Sequence, residues 1–334
     1  MQNKSIRVAA TLAVLLALFV VMLGAYTRLT DAGLGCPDWP GCYGKMVLPS
    51  AQDGLQQAQT KFPLIPIESR KAWTEMAHRY AAGALGLLIF FIGINVFRKK
   101  YQGEQLPWHL PLTLMVLVLF QAALGMWTVT LKLLPVVVMG HLLGGMLIFA
   151  FLCRFRLQMS AIKPEHWSQW RMGLRLGLLI VFLQIALGGW VSSNYAGISC
   201  IGFPMCNGTW FPELHFMEGF NLFSPVGANY QGGLLDNEVR VSIQFIHRIG
   251  AVVTAAYLLI FSMLLLGKVR SLALRVGALL LILFVVLQFT LGILNVLYLL
   301  PLPVAVAHNG IAALLLATVF SMLQFTRKGA DYVG

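Results

Sequence analysis

Four histidines stand in four apolar segments of this chain, and the second two repeat the first two. His78 and His141 are 63 residues apart, His247 and His308 61 apart, each a few residues inside the same end of its segment. A histidine in a hydrocarbon-facing stretch is costly unless it is paired or binds something. Imidazoles offered in pairs from facing helices suit the two axial positions of a metal-porphyrin. They suit copper or zinc less well, because each pair supplies only part of a tetrahedral ligand set. No C-x-x-C-H occurs, which argues against covalent c-type haem attachment.

The residues beside the histidines differ between the pairs. Glu75 lies three residues before His78, on the same helical face, whereas the counterpart before His247 is Gln244. A carboxylate within reach of a bound porphyrin can move protons or stabilise developing positive charge. A site that only passes electrons needs neither. The asymmetry therefore assigns substrate to the first half and a resident haem to the second. The competing account of Glu75 is an acid favoured near a helix N-terminus by the dipole alone. Arg79 and Arg248 directly follow the first histidine of each pair and can reach porphyrin carboxylates. Gly83, Gly86, Gly140, Gly144, Gly145 and Gly250 cluster nearby and would let a macrocycle approach the backbone. His109, His166 and His215 fall at segment edges or in loops and read as solvated or structural.

Those side chains need membrane-spanning helices to hold them. The 334 residues are 58% hydrophobic and 11% charged, with a mean hydropathy of +0.78. Such a composition with long uncharged runs means an all-α membrane protein. Eight spans are expected, at 8–27, 73–97, 108–131, 136–153, 174–193, 241–266, 276–298 and 303–326. The first is long enough to span and no small-residue cleavage site follows it, so it counts as a helix and not a signal peptide. Histidines fall on the second and fourth helices of each half, which lie diagonally opposite in an up-down bundle and can converge on one cavity.

Charge orients the bundle. Lys4, Arg7, Arg98 to Lys100, Arg154, Arg156, Lys163, Arg171, Arg175, Lys268, Arg270, Arg275, Arg327 and Lys328 fall on one side. They make 15 of the 24 basic residues, against three acids (Glu104, Glu165, Asp331), so the whole formal charge of +12 lies there. The positive-inside rule puts both termini in the cytoplasm and the 28–72 and 194–240 loops outside. The basic balance is then a topology signal that needs no nucleic acid. Cys36 and Cys42 lie in one outer loop and Cys200 and Cys206 in the other, each pair six apart on the oxidising side. A short disulfide in each loop serves as a rigid lid or, near a redox site, as a redox pair. Cys153 stands alone as packing.

The halves align. "LGAYTRLTDAGLGCPDWPGCYG" (23–44) matches "LGGWVSSNYAGISCIGFPMCNG" (187–208), with both cysteines offset by 164. "EMAHR" matches "QFIHR", and "QAALG" (121–125) matches "QFTLG" (288–292), each glutamine 20 residues before the second histidine of its half. Gln121 and Gln288 are read as interhelical hydrogen-bonding groups. The chain thus divides into a substrate half (1–153), a cytoplasmic linker (154–173) and a resident-haem half (174–334), two four-helix bundles in parallel repeat.

These stretches, with the Gly-His at 140–141 and the late His308, closely resemble the haem A synthase family over essentially the whole chain. The run from Gly24 to Cys42 is the most specific part. The resemblance implies a bacterial inner-membrane oxidoreductase that converts haem O to haem A, turning the porphyrin C8 methyl into a formyl group by successive hydroxylations and loss of water. It implies haem b between His247 and His308, and the substrate haem at His78 and His141. It also implies that Glu75 is the essential acid and that Cys36 and Cys42 are the family's outer-loop cysteines. Partners so implied are the farnesyltransferase that makes haem O, cytochrome oxidase assembly factors, and an electron acceptor or donor. The alternatives are a di-haem b-type electron-transfer protein, which has no reason for a carboxylate in one half only, and a parallel-repeat transporter, which would carry broken midplane helices.

Overall fold

In hydrocarbon a backbone has no hydrogen-bond partner but itself, so uncharged runs of this length become helices. The computed structural model of the chain describes residues 3–48, 52–63, 66–160 and 167–326. His166, Lys163, Glu165, Arg327, Lys328 and Asp331 lie outside the described residues. The described helices are α1 (Lys4–Leu29), α2 (Gln52–Lys61), α3 (Ser69–Tyr101), α4 (His109–Thr130), α5 (Pro135–Gln158), α6 (Arg171–Ser193), α7 (Phe216–Gly219), α8 (Asn237–Lys268), α9 (Leu272–Leu297) and α10 (Leu302–Met322). Among the described residues no strand forms, and all but the short α2 and α7 are long and apolar enough to cross a membrane. These are the eight expected spans. Several run past their apolar stretches: α3 begins at Ser69 and α8 at Asn237, because polar residues continue the same hydrogen-bond ladder.

Within the first half α1 packs on α3, α3 on α4, α4 on α5 and α5 back on α1; α6, α8, α9 and α10 close the same ring. The histidine-bearing helices, α3 with α5 and α8 with α10, therefore sit across their rings as expected. The halves meet where α10 packs on α5 and α1, and α5 on α6. The seam is apolar: Ala10, Ala13, Phe149, Leu152, Phe155, Ala313, Leu316 and Val319 share one buried cluster. In lipid such surfaces adhere by close packing, which small side chains favour. Near one end of the seam Arg154 donates to the Phe320 carbonyl at 2.7 Å and lies over that ring.

Local conformation repeats along with sequence. Asp31 after α1 and Tyr195 after α6 both take positive φ (51° and 56°), as do Tyr43 and Asn207 (52° and 51°). Lys132 and Leu133 turn the chain from α4 into α5 at φ 48° and 62°, and Leu299 and Leu300 do the same from α9 into α10 at 54° and 62°. The bridges Cys42 to Lys45 and Cys206 to Thr209 close equivalent loops.

Candidate functional site

All four histidines line one cavity of about 1860 Å³, together with Glu75, Arg79, Gln244 and Arg248. His78 comes from the N-terminal part of α3 and His141 from that of α5, and their ring centroids are 6.4 Å apart with the planes at 79°. Two metal–nitrogen bonds of about 2 Å each, plus two ring radii, fill such a gap. A flat metal-porphyrin therefore fits the spacing. Among the described residues no three His, Cys, Asp or Glu side chains gather into a chelating set. Each pair offers two nitrogens, the number a porphyrin-held iron lacks.

Each ring lies against a glycine of the neighbouring helix. A methyl group on Gly24, Gly125, Gly188 or Gly292 would come within 2.9, 3.1, 3.2 or 3.3 Å of Cε1 of His78, His141, His247 or His308. Any side chain there would push the imidazole out of place. These four glycines end Leu-Gly pairs at matched positions, a signal present in the sequence and passed over. The glycines expected to face a macrocycle behave differently. Gly144, Gly145 and Gly250 make room for glutamine side chains, Gly144 and Gly145 for Gln121 and Gly250 for Gln184. Gly140 faces Leu124 and Gly86 faces Val118, while Gly83 opens onto free space on the cavity wall.

The glutamines reach the histidines. Gln121 donates to the His141 carbonyl at 2.5 Å. Gln288 lies 3.1 Å from His308 Nε2. Both are the interhelical bonds expected of them. Gln184, which sequence reasoning did not single out, donates to the His247 carbonyl at 3.0 Å and lies 3.1 Å from His247 Nδ1.

Glu75 is 4% exposed, and its Oε2 accepts the Cys36 N–H at 2.8 Å while Oε1 pairs with Arg79. It is thus drawn into the cavity wall under the first disulfide and does not reach for solvent. Its counterpart Gln244 is 6% exposed on the same cavity, with Oε1 unpartnered among the described residues.

Cys36 bonds to Cys42 and Cys200 to Cys206. The arginines clamp the two disulfide loops. Arg79 Nη1 donates to the carbonyls of Asp38 (2.9 Å), Pro40 (3.2 Å) and Gly41 (2.5 Å). Arg248 Nη1 donates to Gly202 (2.9 Å) and Met205 (3.3 Å), and its Nη2 to Cys200. Guanidinium donors expected to face porphyrin carboxylates are thus engaged by loop carbonyls, with Arg248 Nε left without a partner among the described residues. The physical reason is that each disulfide ring turns several carbonyls toward the helix end below it, where a cation satisfies them.

The cavity also reaches the seam between the halves. Arg28 at the end of α1 donates to the Ser192 carbonyl at 2.5 Å and stacks 3.8 Å over the Tyr195 ring. The Tyr195 hydroxyl donates to Asp31 at 3.0 Å.

Fold and site together define a membrane protein with eight span-length helices among the described residues and two pairs of histidines on one cavity. The chain belongs to the cytochrome oxidase assembly protein family, whose model matches residues 7–320. It is 45% identical over 312 residues to the heme A synthase of Shewanella oneidensis, covering 92% of each chain. It is 30% identical over 318 residues to that of Rhizobium rhizogenes (89% of this chain, 83% of the relative), and 29% identical over 340 residues to that of Caulobacter vibrioides (92% of each).

Proposed function

We propose that this chain is a membrane oxidoreductase that converts haem O to haem A. The observation that carries the reading is the contrast within one cavity: the His78–His141 pair has Glu75 beside it, and the His247–His308 pair has Gln244. The name shared by relatives at 45% and lower identity supports the reaction. Converting a methyl to a formyl group takes one oxygen from water and releases four protons and four electrons. His78 and His141 hold the substrate haem, and Glu75 accepts protons as they leave. His247 and His308 hold haem b, which supplies a one-electron relay to an acceptor outside the chain. Arg79, half-buried, keeps Glu75 aimed inward, and the disulfide loop fastened by Arg79 shields the site from outer water.

The same reading makes the halves a parallel repeat about an axis along the membrane normal, split at 153 and 174, with both termini in the cytoplasm of a bacterial inner membrane. Two contacts support it: Arg28 with Ser192 and Asp31 with Tyr195 each join residues 164 positions apart, the offset of the repeat itself. A position can touch its own counterpart only near a two-fold axis. The charge asymmetry supports the orientation. The deciding experiment extracts haems from cells with and without this protein, supplied with the haem O-forming farnesyltransferase, and identifies them by mass. A formyl-bearing haem that appears only with this chain is expected; haem O left unchanged would overturn the proposal.

A further inference from the structure

The four glycine-packed histidines are four copies of one arrangement, and a single helix position distinguishes them. Four residues before Gly125, Gly188 and Gly292 stand Gln121, Gln184 and Gln288, one turn below the glycine and turned toward the same histidine. Four residues before Gly24 stands Val20, the repeat counterpart of Gln184 by the same offset of 164. Val20 lines the cavity and has no hydrogen-bonding group.

The consequence is graded. In the second pair the Gln184 amide lies 3.1 Å from His247 Nδ1, whereas Gln288 lies 3.1 Å from His308 Nε2 and leaves His308 Nδ1 without a partner among the described residues. In the first pair Gln121 reaches only the His141 backbone, and the Nδ1 atoms of His78 and His141 are buried without a partner among the described residues. A histidine whose second nitrogen is engaged is fixed in tautomer and ring orientation and binds metal more firmly; losing that partner typically costs about 10- to 100-fold in affinity.

We infer that Gln184 is a positioning residue that, through His247, makes the second site a permanent haem site, and that Val20 leaves His78 free to release what it binds. The inference rests on the function proposed above. A site that must accept one haem and discharge another cannot hold its ligands as firmly as a site that keeps its haem. An amide at His247 Nδ1 and an alkyl group at the matching position of the first half build that difference into the helices. Where His247 Nε2 binds the iron, its Nδ1 carries the proton, and the Gln184 amide turns its oxygen to accept it, giving up its bond to the His247 carbonyl.

The test uses the purified, haem-loaded protein and reads haem transfer to a scavenger apoprotein, the midpoint potential and the haem-to-chain ratio. Gln184→Met, which fills the same space, is expected to speed haem loss about 10- to 100-fold. Gln184→Glu is expected to retain haem and lower the midpoint potential, because a carboxylate accepts the ring proton more strongly. A packing role for Gln184 predicts the reverse order, with the methionine variant harmless. Val20→Gln is expected to raise the haem-to-chain ratio after purification. Wild-type loss rate and potential in both Gln184 variants would overturn the positioning role, and an unchanged ratio in Val20→Gln would overturn the role of Val20. A wild-type protein that binds no haem would instead sink the function on which the inference stands.

Discussion

Tyr195 donates its phenolic hydrogen to Asp31 at 3.0 Å, and the two residues occupy the same place in the two halves of the chain. With Arg28 stacked on the same ring and bonded to Ser192, the contact ties the helix ends of α1 and α6 across the seam. The duplicated sequence thus meets itself with different side chains, where identical ones would bring like to like.

Tyr195→Phe removes that hydrogen bond but keeps the ring under Arg28. We expect a loss of about 1 kcal/mol or less, since the pair is partly exposed. Burial holds the Tyr195 phenol above its ordinary value near 10.0. A raised folded value means the contribution is complete below pH 10 and is lost as pH climbs through the raised value. The stability gap between wild type and variant, from thermal unfolding in detergent, should therefore be constant from pH 7 to 9 and shrink only beyond 10.

Glu75→Gln keeps an oxygen for the Cys36 N–H but cannot titrate and loses its charge against Arg79. The variant should retain haem b and make no formyl product. Extracted haems identified by mass check this, and wild-type haem A would count against the assignment.

Alanine at His308 should abolish the reduced spectrum of the second site, while alanine at His78 should leave it intact. Difference spectra of the two purified variants separate the sites. An unchanged spectrum in His308→Ala would remove haem b from the second half.

Gly24→Ala places a methyl 2.9 Å from Cε1 of His78, and Gly188→Ala places one 3.2 Å from Cε1 of His247. Overpacking of this kind costs about 1–3 kcal/mol. The first should cut formyl production with the haem b spectrum preserved; the second should broaden or shift that spectrum. Equal effects of both on both readouts would mean that the glycines serve the fold alone.

Much of this was legible in the chain. The eight spans follow from uncharged length, because hydrocarbon admits little but helices. The histidine pairs, the Glu75–Gln244 contrast and the cysteine pairs are legible because duplication lets one half annotate the other. Gln184 was missed because its partner in the first half is Val20, so the comparison that exposed the other residues hid this one. The arginines were aimed at an expected ligand because carbonyls of a loop some forty residues away carry no sequence signal.

Composition and spacing determined the helices and the sequence repeat and pointed to the residues proposed for the chemistry, since each depends on near neighbours or on matching positions. Only the tertiary structure decided which glycine each imidazole rests on, which amide meets it, and that both pairs open on one cavity. Those contacts depend on how each helix is rotated against the next, which is settled by packing along the entire length of both helices and not by any residue alone.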